Sequence, residues 1–130
     1  MKGSRAQRRR GAALGAAFLL LFVLPVAARG HWLKPEEILA GLRQNPRLRD
    51  SVGLVDARVD PALPRLLVIK VKRDTWVQIP PDKRLALAQD WYDTWRHNVD
   101  AGIVAVLDAA NDKSLIHFDG VGRAQLAAER

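Results

Sequence analysis

The sequence predicts an α+β fold, namely a small two-layer domain with the element order α-β-β-α-β-β. Its four strands are expected to form one mainly antiparallel sheet with both helices on one face. Three observations predict this fold: a long segment with apolar residues at helical spacing, two segments that alternate apolar and polar residues, and one short continuous apolar run. A basic and then apolar leader precedes the domain and indicates an N-terminal signal or anchor helix.

Three segments divide the chain: residues 1–30 are predicted as a signal peptide or membrane anchor, residues 31–122 as a single α+β domain, and residues 123–130 as a short C-terminal tail. The leader has the order of an export signal. Five cations in its first ten residues are followed by an uncharged run of 18 residues that ends in small side chains. The domain is therefore expected to be exported, and to be periplasmic or secreted.

The leader itself has two possible fates. Pro25 and the small residues at Ala28 and Gly30 favour a signal peptide that is cleaved after one of the latter two positions. The alternative is an uncleaved anchor, because the run is close to the lower end of the about 17–25 residues that span a bilayer. In that case the basic flank stays in the cytoplasm and the domain lies outside it. Only the N-terminal segment then contacts the inner membrane.

The positive charge of the chain is concentrated in the leader. Lys and Arg number 21 and Asp and Glu number 14, a net charge of +7, but from residue 31 onward the counts are 15 and 14. The domain lacks the excess of cations that binding to phosphates of nucleic acid requires, so no nucleic-acid partner is expected. The absence of cysteine excludes disulfides and cysteine metal sites, and packing alone must stabilise the domain.

The first helix and the first strand pair follow in order. A helix is predicted from Pro35, whose fixed φ angle suits a first turn, up to Asn45-Pro46, which ends it. Strands are predicted over 53–60 and 66–72, because both segments alternate apolar and polar residues and the proline-rich loop between them cannot continue a strand.

Joining these strands as a hairpin determines which side chains face each other. Val55, Ala57 and Val59 share the apolar face of the first strand, and Asp56 is expected opposite or near Lys70. Opposite charges across a ladder stabilise it by about 0.2–1 kcal/mol. This charge pattern therefore has a structural explanation and does not require a binding patch.

A long amphipathic helix is the strongest element of the second half. It follows an extended connection over 74–79 and starts at Pro80-Pro81-Asp82. Its apolar residues recur at spacings of three and four, which predicts a buried stripe: Leu85, Ala88, Trp91, Tyr92, Trp95 and Val99. Charged residues are expected on the opposite side: Lys83, Arg84, Asp90, Asp93 and Arg96.

Two strands and the tail complete the predicted domain. The run 103–107 is continuously apolar, which is typical of a strand covered on both faces. A turn over 109–113 leads to a last strand over 114–119. Residues 123–130 are expected to form a short helix.

His31 is the candidate metal ligand. If the leader is cleaved directly before it, its α-amino group and imidazole can chelate Cu(II), and a second imidazole from His97 or His117 completes the site. Nothing in the sequence brings either of these histidines near residue 31. A solvated terminal histidine is the simpler interpretation.

The aspartates around the last turn also have two interpretations. Asp108, Asp112 and Asp119, with Asn111 among them, can bind calcium weakly, but their spacing lacks the ligand pattern of a calcium-binding loop. Tight turns use the same residue types for local hydrogen bonds. Turn chemistry is therefore the favoured interpretation.

Two tryptophans are the candidate partner contacts. Trp32 and Trp76 lie outside the amphipathic patterns, so either can present an exposed ring, with burial at the edge of the core as the favoured alternative. Trp91, Tyr92 and Trp95 can stack on a ligand, but their helical spacing favours the core.

The sequence indicates a non-catalytic function. It contains no nucleophile motif, phosphate loop or dinucleotide fingerprint, so no catalytic residue and no cofactor is assigned. The leading hypothesis is an exported interaction or accessory module of the cell envelope, whose partner is another envelope protein. The alternatives are a metal-handling protein or small enzyme that uses His31, and a membrane-tethered accessory subunit.

Overall fold

A computed structural model describes residues 32–127, so the predicted leader, His31 and the end of the tail lie outside the described residues. Helices and strands both occur, and the predicted α+β class is confirmed. In chain order they are α1 (Pro35–Arg43), β1 (Leu54–Val59), β2 (Leu66–Val71), α2 (Arg73–Trp76), α3 (Pro81–Asn98), β3 (Ile103–Asp108), β4 (Ile116–Phe118) and β5 (Ala124–Leu126), with a π-helical turn at Leu48–Val52. None of the described helices has the length and apolar character needed to cross a bilayer.

The described strands form two sheets instead of one. β1, β2 and β3 make a sheet in that order, with β1 antiparallel and β3 parallel to β2. β4 and β5 pair antiparallel in a separate hairpin, so the predicted single four-stranded, mainly antiparallel sheet is wrong. The chain between β2 and β3 returns through α3 to the end of the sheet where β2 begins, which makes the two strands parallel.

The segment Ala124–Leu126 corrects a second expectation. It falls in the tail predicted as a short helix, but it forms β5 and pairs with β4 in the register Ile116 to Leu126. The Ala127 N–H extends the pairing by donating to the Leu115 carbonyl at 3.1 Å. Tertiary pairing therefore overrides the local preference for a helix.

β1 carries an irregularity that changes its predicted faces. Its register with β2 shifts between Leu54 and Asp56, so Val55 is an extra residue and is 53% exposed, whereas Leu54 and Ala57 are buried. The predicted placement of Val55 on the apolar face is therefore wrong. The predicted opposition of Asp56 and Lys70 is confirmed.

Asp56 and Lys70 each form an ion pair with a residue from another part of the fold. Lys70 Nζ is 2.9 Å from Asp112 Oδ1 in the turn after β3, and Arg43 Nε is 3.8 Å from Asp56 Oδ1. Arg43 Nε also donates to the Ala57 carbonyl at 2.7 Å, which covers part of the outer edge of β1. These contacts link the sheet to α1 on one side and to the β3 turn on the other.

A short helix replaces the extended connection predicted over 74–79. In α2 the Trp76 N–H donates to the Lys72 carbonyl at 2.9 Å. The Trp76 side chain is 1% exposed, and its ring stacks on that of Trp91 with 5.9 Å between the ring centroids. The helical turn brings this large apolar side chain into the core, which an extended segment exposed at the surface would not do.

α3 supplies two of the three largest side chains of the core, Trp91 and Trp95. Its buried residues lie on one stripe: Arg84, Leu87, Ala88, Trp91 and Trp95. The predicted burial of both tryptophans is confirmed. Three members of the predicted stripe are only half-buried, namely Leu85, Tyr92 and Val99. Leu87, which the prediction left out, is buried, and so is Arg84, which was predicted on the charged side.

Trp95 joins the end of α3 to the start of β2. Its side chain is fully buried, and its Nε1 donates to the Arg65 carbonyl at 2.8 Å. The same carbonyl accepts the Ile103 N–H at 2.8 Å where β3 begins. Gly102 permits this close approach, since a Cβ atom there would lie 2.8 Å from Trp95 Cδ1. One indole therefore holds the helix against the beginning of both parallel strands.

Trp95→Ala is expected to lower the free energy of unfolding by about 3–5 kcal/mol, because it leaves a cavity at a fully buried site. Lys83→Ala removes an exposed side chain from the same helix and is expected to change it by less than about 0.5 kcal/mol. Urea denaturation followed by circular dichroism measures both values. A loss no larger for Trp95→Ala than for the control would show that the stripe is not the core.

Candidate ligand pocket

A cavity of about 360 Å³ opens where the two parallel strands end. β2 ends at Val71 and β3 at Asp108, and these two residues are partners in the parallel register. Open sheets bind ligands beyond the carboxyl ends of their parallel strands. The cavity therefore lies where the topology favours a binding site.

The lining combines cationic and apolar side chains from different parts of the fold. Arg73 comes from α2, Arg84 from the first turn of α3, and Lys113 from the turn after β3. The one carboxylate in the described lining is that of Asp108, the last residue of β3. Apolar residues complete the wall: Trp76, Val77, Leu115, Leu126 and Ala127. Because cations outnumber carboxylates three to one in the described lining, the pocket favours an anionic ligand.

Arg84 is the most buried of the three cations. It is 8% exposed, and its Nε donates to the Ile79 carbonyl at 2.9 Å across the start of α3. A guanidinium group held by the backbone keeps one orientation, which reduces the entropy lost when it pairs with an anion. The Ile79 carbonyl therefore helps to fix the orientation of the Arg84 side chain in the lining.

Asp108 supplies an acceptor to the same pocket. It is 5% exposed, and its Oδ1 accepts the Ala110 N–H at 2.9 Å while its main-chain carbonyl accepts the Asp112 N–H. Its Oδ2 makes no hydrogen bond within residues 32–127. One oxygen of this carboxylate thus shapes the turn, and the other can accept a donor from a ligand.

Trp76 and Leu126 differ in exposure within the apolar lining. Leu126 on β5 is 38% exposed, whereas Trp76 is buried and its Nε1 has no hydrogen-bond partner among the described residues. An unsatisfied buried N–H group costs about 1–3 kcal/mol. The position of this ring is therefore stabilised by its apolar area and not by hydrogen bonding.

Gln89 links the β4–β5 hairpin to α3 by hydrogen bonds, and this hairpin carries part of the apolar lining of the pocket. Its Oε1 accepts the Ala124 N–H and its Nε2 donates to the Gly122 carbonyl, both at 2.8 Å. A side-chain amide offers both a donor and an acceptor, so it can pair with backbone as a strand does. Tyr92 adds a stack on Phe118, with ring centroids 4.7 Å apart.

Two carboxyl groups outside the lining have shifted pKa values. Backbone hydrogen bonds, first from Arg123 and then from Val121, lower the pKa of Asp119 in the hairpin turn, where its Oδ1 accepts both N–H groups at 2.9 Å. Burial, and then the charge of Asp93, raises the pKa of Asp90 on α3. These groups belong to the hairpin turn and the helix, so the charge of the pocket does not depend on them.

The structure separates the residues that the sequence suggested as sites. Trp32 is 66% exposed, and its ring stacks on His97 with 4.4 Å between centroids and an interplanar angle of 12°. Trp76 is a buried core residue that lines the pocket. His117 is exposed on β4. His31 lies outside the described residues.

The polar residues near the last strands form turns, as the favoured interpretation predicts. Besides the bonds of Asp108 and Asp119, Asn111 Oδ1 accepts the Lys113 N–H at 2.9 Å. Across the part of the chain that the structure describes, no three His, Asp or Glu side chains are grouped so as to hold a metal ion.

Comparison with known proteins adds no assignment. No protein-family model, curated protein or solved structure matches the chain. The geometry and chemistry of the pocket are therefore the observations from which a function can be proposed.

Arg84 is the lining residue whose burial the sequence does signal. It lies four residues before Ala88 and seven before Trp91, in phase with the buried stripe. Arg73 and Lys113 lie in a short helix and a turn, where no periodicity marks them. The sequence-based prediction places Arg84 on the charged side of the helix because it treats charge as a sign of exposure, but Arg84 is buried.

Gln89→Ala is expected to lower the free energy of unfolding by about 1–3 kcal/mol, since it leaves the Ala124 N–H and the Gly122 carbonyl without their partner. The amide of Ala124 is expected to exchange its hydrogen faster by NMR, as the hairpin opens locally. Gln78→Ala removes an exposed glutamine and is the control. Unchanged exchange at Ala124 would contradict a fastening role for Gln89.

Proposed function

We propose that this chain is an exported, non-catalytic module of the cell envelope that binds another protein. Its pocket at the carboxyl ends of β2 and β3 receives an anionic group of that partner. The proposal rests on the grouping of Arg73, Arg84 and Lys113 around one cavity. From residue 31 onward the charges of the chain otherwise nearly balance. The basic and apolar leader supports delivery across the inner membrane, with or without cleavage.

The chemistry of the lining suits binding better than catalysis. The Ser114 hydroxyl donates to the Ile116 carbonyl at 2.8 Å, which engages the proton that a nucleophile must lose. No histidine is present among the described lining residues to act as a base. Arginine and lysine, in contrast, pair with anionic groups without reacting with them.

A photoreactive amino acid introduced at Leu126 is expected to form a covalent adduct with the partner in intact cells. Leu126 lines the pocket and is partly exposed, so the probe lies next to the bound group. The double charge reversal Arg73→Glu and Lys113→Glu is expected to abolish the adduct, because both cations line the same cavity. Immunoblotting after irradiation measures the adduct, and mass spectrometry identifies the partner.

Val55 is the matched control position for this experiment. It is an exposed apolar residue on β1, outside the pocket lining, and a probe there is expected to give no adduct that depends on the two pocket charges. Circular dichroism establishes that the charge-reversed chain is folded. An adduct at Leu126 that survives the charge reversal, or its absence in exporting cells, would count against the pocket as the binding surface.

Copper binding is the second candidate function, and two contacts favour it. Trp32 stacks on His97, and the Leu33 N–H donates to Asn98 Oδ1 at 2.6 Å. Trp32, which follows His31 in the sequence, therefore contacts one of the two histidines considered as its partner. A chain that begins at His31 would then offer an α-amino group and two imidazoles to Cu(II).

Under this second function the exported chain is expected to begin at His31 by intact-mass measurement. Titration with Cu(II), followed by electron paramagnetic resonance, is expected to show one tight site that His97→Gln abolishes and His117→Gln retains. A chain that begins at Arg29 lacks the required α-amino ligand and excludes the function. An intact leader in the membrane fraction excludes it as well and supports a tethered accessory subunit.

A further inference from the structure

We infer that the chain regulates its own pocket through its last three residues, which bring the Glu129 carboxylate to the exposed cations of the lining. This inference rests on the proposed binding function and adds a regulation of the same site, because the tail end (residues 128–130) then competes with the anionic group of the partner. Three observations support it: the place where the described chain ends, the strand register there, and the charge of the lining.

The described chain ends in the wall of the pocket. Leu126 and Ala127 both belong to the lining, and the Ala127 N–H donates to the Leu115 carbonyl at 3.1 Å. The tail end follows directly in the sequence, with Glu129 two residues after Ala127. Two residues span at most about 7 Å, so the chain keeps Glu129 close to the cavity.

The register of the hairpin directs the tail end toward Lys113. β4 and β5 pair antiparallel, and the hydrogen bond from Ala127 to Leu115 continues their register by one residue. Two further steps in the same register bring Glu129 level with Lys113. The chain bends at Leu115, so this count brings the two side chains near each other without lengthening the ladder.

The lining offers the Glu129 carboxylate two exposed cations. Arg73 and Lys113 are both exposed, and neither forms an ion pair within residues 32–127. Glu129 is the one Asp or Glu of the sequence after Asp119. An exposed ion pair stabilises only weakly, so a partner with a better-fitting anionic group displaces the tail end.

The short connection makes even a weak contact effective. A group tethered next to its site acts at a local concentration in the millimolar range. While the tail end occupies the pocket the chain cannot receive a partner, so the apparent Kd for the partner rises as the open fraction falls. An ion pair of ordinary surface strength changes that Kd about two- to fivefold.

Carbodiimide coupling tests the contact on the protein as exporting cells produce it, purified without a partner. The reagent joins a carboxylate to an amine in contact with it, with loss of water, so an amide link between Glu129 and Lys113 is expected within one chain. Lys83 carries an exposed amine on α3 outside the lining and is the matched control, which is expected to form no link to Glu129. Mass spectrometry of the digested monomer identifies the links. Salt at about 1 M is expected to reduce the Lys113 link, because the Debye length falls to about 3 Å.

The photoreactive amino acid at Leu126 tests the competition. Glu129→Gln removes the charge and keeps the shape of the side chain, so it is expected to raise the yield of the charge-dependent adduct about two- to fivefold. Glu36→Gln makes the same change at an exposed residue of α1 outside the lining, and it is expected to leave the yield unchanged.

The outcomes separate this inference from the proposed function. No link between Glu129 and Lys113, an equal link to Lys83, or a link found only between two chains would overturn the contact. An adduct yield that Glu129→Gln leaves unchanged would overturn the competition. If the adduct forms but the link does not, the regulation is wrong and the proposed binding function stands. If the link forms within one chain but no variant gives an adduct, the proposed binding function is wrong, and the competition with it.

Discussion

The burial of three tryptophans between α3 and the parallel strands is the interaction on which the rest of the structure depends. The chain has no cysteine, so no disulfide contributes. Trp76, Trp91 and Trp95 are each at most 1% exposed, and burial of such a ring contributes about 4–6 kcal/mol of transfer free energy. Trp95 connects α3 to the beginning of β2 and β3. The stack of Trp76 on Trp91 connects α3 to α2, which follows the end of β2.

The same helix also builds the pocket. Arg84 lies near the N-terminal end of α3, in phase with the buried stripe. The buried face of the helix therefore presents tryptophan rings along the core and an arginine at the pocket, where the strands end. Gln89, five residues further along, holds the hairpin that carries Leu126 into the wall. Core packing, the cationic lining of the pocket and the placement of the hairpin are therefore coupled through α3. A substitution in the core that shifts this helix also shifts the lining of the pocket.

The sequence predicts the individual elements better than their arrangement. The continuous apolar run of β3 predicts a strand covered on both faces, a pattern typical of parallel strands. β3 is parallel to β2, but the expected full cover is wrong, because β3 lies at the edge of its sheet and only alternate residues are buried. The long helical connection between β2 and β3 is likewise the kind that joins parallel strands. Both signals conflict with the expectation of two α-β-β units, in which strands pair as hairpins. The sequence does not reveal that Val55 is an extra residue in β1. A single unpaired residue interrupts the two-residue alternation of a strand without changing the amino-acid composition of the segment.

The missed pocket and the wrong sheet have one cause. When β2 and β3 are antiparallel, their carboxyl ends lie at opposite ends of the sheet, and nothing brings Arg73 after β2 to Asp108 and Lys113 after β3. When the strands are parallel, those segments meet at one edge, at the start of α3, and the rule that ligands bind there applies directly. An arginine in phase with a buried stripe is a second and independent signal, because a buried charge is costly unless it is paired. Strand direction thus determines whether Arg84 can be recognised as part of the same pocket as Arg73 and Lys113.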